Sequence, residues 1–138
     1  MRPGTRLIQR DVTTDNTVYA VETNGILRPI TTANAIALYG STWASRVTKV
    51  SDQNFLSYTV STSLPTGQYP IGTLLKKTTG PDVFYFDGTN YRRIANEAAF
   101  NANRFNARFI VKTSMNFNAG GAEITGMESA LINAAQNG

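Results

Sequence analysis

The chain contains no cysteine and no histidine. Their absence removes disulfides, thiol nucleophiles, imidazole bases and nearly every donor set that holds zinc or another transition metal. Charge is scarce as well. Thirteen Lys and Arg stand against nine Asp and Glu, together 16% of the residues, so the net charge of +4 is spread over singles and the pairs Lys76-Lys77 and Arg92-Arg93. No run is dense enough for the basic stripe that a nucleic acid requires. No apolar stretch approaches the ~20 residues of a membrane-spanning helix. Met1-Arg2-Pro3-Gly4 leads directly into a strand pattern, so no signal peptide is expected in this sequence. Walker, GxGxxG and G-x-S-x-G motifs are missing. The acids form no paired-carboxylate motif: Asp11 and Asp15 flank a loop, Asp87-Gly88-Thr89-Asn90 reads as a turn, and neither matches a calcium loop. No catalytic residue and no cofactor are therefore expected, with calcium as the one ion left open, and the expected protein is not an enzyme.

What is present is a sentence said nearly twice. Gly4-Thr5-Arg6-Leu7 leads to Val18-Tyr19-Ala20-Val21-Glu22, a turn at Asn24-Gly25, then Leu27-Arg28-Pro29-Ile30 and a small-residue run from Thr31 to Leu38. Gly72-Thr73-Leu74-Leu75 leads to Val83-Phe84-Tyr85-Phe86-Asp87, a turn at Gly88-Thr89-Asn90, then Tyr91-Arg92-Arg93-Ile94 and a run from Ala95 to Ala102. Trp43-Ala44-Ser45-Arg46-Val47 then aligns with Phe105-Asn106-Ala107-Arg108-Phe109. The offset drifts because the first copy has the longer loop, Asp11 to Thr17, and loops change length without altering the packed pattern. With only two copies, duplication competes with the ordinary grammar of hairpin, helix and strand.

Asn-Gly between two β-rich runs is the strongest short hairpin signal. Thr31 or Thr32 can cap a helix through Leu38 that Gly40 closes, Ser51 or Asp52 can cap a helical turn carrying Phe55, Leu56 and Tyr58, and Asn96 can cap a helix to about Asn103. Val47 to Val50 and Phe109 to Thr113 read as strands. Ser61 to Pro70 reads as an exposed connection that Leu64 and Tyr69 can pin down. Ile124, Met127, Leu131 and Ile132 recur at helical spacing and predict an amphipathic helix over 123–135, which must bury its stripe on this module or on a neighbour. The expected fold is α+β: two similar strand-hairpin-helix-strand units sharing a core, plus a C-terminal helix. The boundaries are 2–64 for the first unit, 65–114 for the second and 115–138 for the terminal loop and helix. Units of about 65 residues are marginal alone, which is why a shared interface is expected.

Candidate contacts follow from the same matching. Arg28 and Arg92-Arg93 hold equivalent places, where a guanidinium fork suits anionic glycans or, structurally, pairs with Glu22 and Asp87 on the facing strands. Tyr85 and Tyr91, with Phe86 and Tyr19, can form an aromatic strip, since alternation along a strand sends only half of them to one face. Trp43 and its counterpart Phe105 are packing anchors or stacking platforms.

In order and spacing, the segments Arg2 to Ile8, Val18 to Glu22, Gly25 to Ile30, Ala37 to Gly40 and Trp43 to Val47, followed by Gly72 to Lys76, Val83 to Phe86 and Arg92 to Ile94, resemble a tandem repeat of large secreted S-layer-like or adhesin-like surface proteins of ultrasmall bacteria. The resemblance covers about residues 2 to 113 and the tail after Ser114 departs from it. It implies a cell-surface or extracellular structural module that contacts neighbouring subunits or repeats, offers no catalytic residues, and leaves a carbohydrate-binding or adhesion module and a virion or filament subunit as alternatives. Neither nucleic acid nor a membrane span is expected.

Overall fold

The computed structural model describes residues 3, 4 and 6–136. The hairpin read from Asn24-Gly25 forms because both residues take the left-handed conformation, at φ 66° and 69°, which asparagine and glycine tolerate best. Its strands are β2 (Val18–Glu22) and β3 (Ile26–Ile30). β1 (Leu7–Arg10) pairs antiparallel with β2 and parallel with β4 (Val47–Val50), and β5 (Thr59–Val60) runs parallel to β3, giving the order β4-β1-β2-β3-β5. The second sheet repeats this arrangement: β6 (Leu74–Lys77), β7 (Val83–Phe86), β8 (Tyr91–Arg93) and β9 (Val111–Thr113) lie in the order β8-β7-β6-β9, with β9 parallel to β6.

The similarity of the two units extends to register. The row Thr48, Ile8, Tyr19, Pro29 across the first sheet is matched by Val111, Leu75, Phe84, Arg93 across the second. Val21 opposite Leu27 is matched by Phe86 opposite Tyr91. The fold is thus α+β with two similar sheet units.

The predicted caps are in place. α1 (Thr32–Tyr39) starts where Thr31 accepts a hydrogen bond from the Asn34 amide and ends at Gly40. α2 (Asp52–Phe55) is capped by Ser51, and α3 (Glu97–Ala102) by Asn96. In each case a side-chain oxygen satisfies an amide that the helix itself leaves open.

Two differences concern the C-terminal third. The predicted helix over 123–135 begins later, as α4 (Ser129–Gln136). Ile124 instead forms a bridge with Ile94, and Ala119 forms one with Tyr91. Second, the correspondence continues past Ser114. Leu27 opposite Val60 in the first unit is matched by Tyr91 opposite Ala119, and the amide of Leu64 bonds to Pro29 as that of Ile124 bonds to Arg93. From different places, the first turn of α1 and the C-terminal end of α3, two asparagines clasp the matching stretches: Asn34 accepts from the Gly67 amide at 3.0 Å and donates to the Pro65 carbonyl, and Asn103 accepts from the Glu128 amide at 2.8 Å and donates to Gly126. The first unit therefore closes at Gly67, and residues 115–128 complete the second. No sequence signal marked this return path because backbone bridges and one amide clasp hold it in place, with no periodic apolar stripe.

Each sheet is covered on both faces. The central cluster joins Leu7, Ala20 and Ile30 of the first sheet and Ala35 and Leu38 of α1 to Leu75, Phe84, Phe86 and Val111 of the second. The far side of the first sheet, Ile8, Tyr19, Val21 and Leu27, packs under Phe55 and Tyr58. The far side of the second, Leu74, Tyr85 and Ile94, packs under Ala99, Phe105, Ile124 and Leu131. Among the described residues no helix is long and apolar enough to cross a membrane.

Candidate functional site

The five singled-out side chains do not converge on one site. Arg28 lies in the first unit, where Nη1 is 3.0 Å from Glu22 and its other nitrogens donate to the Thr62 and Ser63 carbonyls. Arg92, its counterpart, donates to the Ala122 carbonyl and forms a two-pronged pair with Glu128 at 3.0 and 2.7 Å. That bond is the main cause raising its pKa above the ordinary value. Arg93 pairs with Asp82 and Glu123. The hairpin pairing expected from the sequence holds for Arg28 with Glu22; Asp87 instead accepts the Thr89 and Asn90 amides at 2.8 and 2.6 Å, closing its own turn. Both matched arginines thus tie a returning segment to the sheet edge through its carbonyls, a task that suits a planar fork of donors.

The aromatic strip is not on the surface. Tyr19, Tyr85 and Phe86 are buried, because both faces of each sheet are covered and alternation no longer divides inside from outside. Tyr91 is half-buried and stacks on Phe117 at 4.3 Å between centroids and on Phe86 at 4.7 Å. Phe105 is buried and stacks on Tyr85, while Trp43 packs against the central cluster, in keeping with a packing role for this matched pair.

Two polar groups of the interior, Glu22 and Tyr69, are spent on the join between units. Glu22, 3% exposed, accepts from Arg28 with one oxygen and from the Ile71 amide at 3.0 Å with the other. Tyr69 donates to the Leu38 carbonyl at 2.6 Å and lies 3.0 Å from the Thr113 hydroxyl. Tyr39 donates to the Gly4 carbonyl at 2.9 Å. Burial raises the pKa of both tyrosines. Among the described residues no buried side-chain donor or acceptor lacks a partner, and no group of three or more acids is placed to hold a metal.

One concavity carries the character of a contact site. A groove of about 620 Å³ opens on the helix side of the second sheet, with Val83, Ile94, Phe100, Phe105 and Ile110 as its apolar floor and Asp82, Arg93, Asn96 and Asn106 on its rim. Sequence reasoning missed it because its walls come from strand, helix and turn residues that are unremarkable singly. No protein family, curated protein or solved structure matches the chain.

Proposed function

We propose that this chain is a non-catalytic structural and interaction module that works through protein-protein contacts, in the manner of the S-layer-like or adhesin-like surface modules its motifs resemble, and that its site of action is the cell surface or the extracellular space. The observation that carries the reading is the use of its chemistry-bearing groups. Arg28, Arg92, Arg93, Glu22 and Tyr69 hold segments and units together, whereas a catalyst keeps a nucleophile or an acid-base group free to meet substrate. A pair of similar α+β units with a charge-poor, Thr- and Asn-rich composition supports the same reading. Sedimentation velocity over a concentration series, with calcium and with chelator, tests it: growth into larger species is expected, and a monomer under every condition overturns it.

The groove favours one second reading. An aromatic floor beside Asn96, Asn101 and Asn106, with Arg93 at its edge, combines the stacking face and amide donors by which proteins hold sugars. Under that reading the protein is an adhesion module, Arg93→Ala lowers its retention on glycan resin, and its mass stays that of a monomer.

A further inference from the structure

The two units are joined head to tail. If they were related by a two-fold axis, the same face of each would meet the other. Instead, the first sheet contributes the face bearing α1, with Leu7, Val18, Ala20 and Ile30, and the second contributes the opposite face, with Leu75, Phe84 and Phe86. By register these last three correspond to Ile8, Tyr19 and Val21, which lie on the far side of the first sheet. A contact between unlike faces of like units leaves one copy of each face without a partner unit at the two ends, covered there by the chain's own Phe55 and Tyr58 or by α4, and such contacts propagate unless something stops them.

Both unused ends are identifiable. At one end, the groove is the second unit's version of the face that the first unit buries against its neighbour. Val83, Ile94, Phe105 and Ile110 stand where Val18, Ile30, Trp43 and Val47 stand in the first unit, and all four of the latter pack in the central cluster. α4 and Ile124 cover part of this face by inserting Leu131, and the groove is what they leave open. At the other end, Phe55 and Tyr58 pack over the far face of the first sheet, Phe55 at 5.4 Å from Tyr19 between ring centroids, and Tyr58 precedes the Val60 bridge by two residues as Phe117, which lies on Phe84 and Tyr91, precedes the Ala119 bridge. Two residues earlier in each copy come Leu56 and Met115. Met115 packs into the join between units, whereas Leu56 is 74% exposed, and Val60, four residues on, is 49% exposed.

We propose that the groove of one molecule receives the Leu56 face of a second copy of this chain, repeating between molecules the join that already exists within one. This deepens the assembly reading above and rests on it. The contact is heterologous, so association is open-ended.

Two surface substitutions test it: Leu56→Glu removes the inserting face and Ala107→Arg obstructs the groove, and both positions are exposed, so the fold is expected to survive, as circular dichroism and melting will verify. In sedimentation velocity the wild-type chain is expected to grow beyond dimers as concentration rises. Each variant alone is expected to associate about tenfold or more weakly. An equimolar mixture of the two is expected to stop at the dimer, because one retains only the groove and the other only the inserting face. If the wild type assembles and neither variant alters it, the surface assignment fails while the assembly reading stands. A wild-type series that ends at a closed dimer also refutes the assignment. A monomer throughout overturns both.

Discussion

Glycine at the start of each unit is fixed by its neighbour in the other. Gly4 has φ +78° and a Cβ there would sit 2.0 Å from the Thr73 hydroxyl and 2.6 Å from the Thr73 Cα, while a Cβ on Gly72 would sit 2.8 Å from Pro3 and Thr23. Left-handed backbone combined with a clash against main chain requires movement of the join itself, so Gly4→Ala is expected to cost about 2 to 3 kcal/mol. Gly67 has a similar φ of +77° with nothing within 4 Å, and Gly67→Ala should cost only about 1 kcal/mol. The two urea midpoints compared check the claim; equal losses would show that backbone strain alone is at work. The buried tyrosines give a second prediction at this scale. Burial raises the pKa of Tyr39 and Tyr69 in the folded state above the ordinary value near ~10. A group with a raised folded pKa contributes stability that is intact below the unfolded pKa and is lost as pH rises toward the folded one. Urea midpoints are therefore expected to hold steady to about pH 9 and fall beyond about pH 10. Tyr39→Phe, which removes the bond to the Gly4 carbonyl, should cost about 1 kcal/mol at neutral pH and make the alkaline decline shallower.

At the scale of elements, what the sequence announced and what it concealed differ in the kind of force involved. Asn24-Gly25, Thr31, Ser51 and Asn96 each meet a local demand, a left-handed turn or an open amide, and the structure uses all four. The matched arginines also mark a real equivalence, although the partners of Arg92, Ala122 and Glu128, lie too distant in sequence for pattern to reveal. The return paths 59–67 and 119–128 stayed hidden because backbone bridges and an asparagine clasp hold them, and such contacts leave no periodicity. The burial of Tyr19, Tyr85 and Phe86 is not legible from alternation, which divides a strand's side chains between two faces and cannot say that a second layer covers both. Asn103 allows the clasp to be tested. It is fully buried, donates to the Ala99 and Gly126 carbonyls at 2.9 Å each and accepts from the Glu128 amide. Asn103→Leu strands those groups without solvent, and a loss of about 2 to 3 kcal/mol is expected. Amide exchange should quicken at Glu128 while α1 is unaffected; a uniform change would mean that the clasp has no local role.

For the molecule as a whole, the join between units decides whether either can exist alone. The central cluster takes Leu7, Ala20, Leu38 and Tyr39 from one unit and Leu75, Phe84, Phe86 and Val111 from the other, and Glu22 reaches across to the Ile71 amide. A unit separated from its partner would leave an apolar sheet face in water, and at about 65 residues it has little other core to offset the loss. A chain ending at Gln68 is therefore expected to lack cooperative unfolding, although it holds the complete first hairpin and α1. The intact protein is expected to melt in a single transition. Ala20→Glu, in the first unit's half of the join, should lower that one transition by several degrees as seen by both Trp43 fluorescence, which reports the first unit, and the amide exchange of β7 in the second. Two separate transitions, or a change confined to the Trp43 signal, would show instead that the units are independent domains resting against each other. In that case the head-to-tail contact would be too weak to serve as a template for association between molecules.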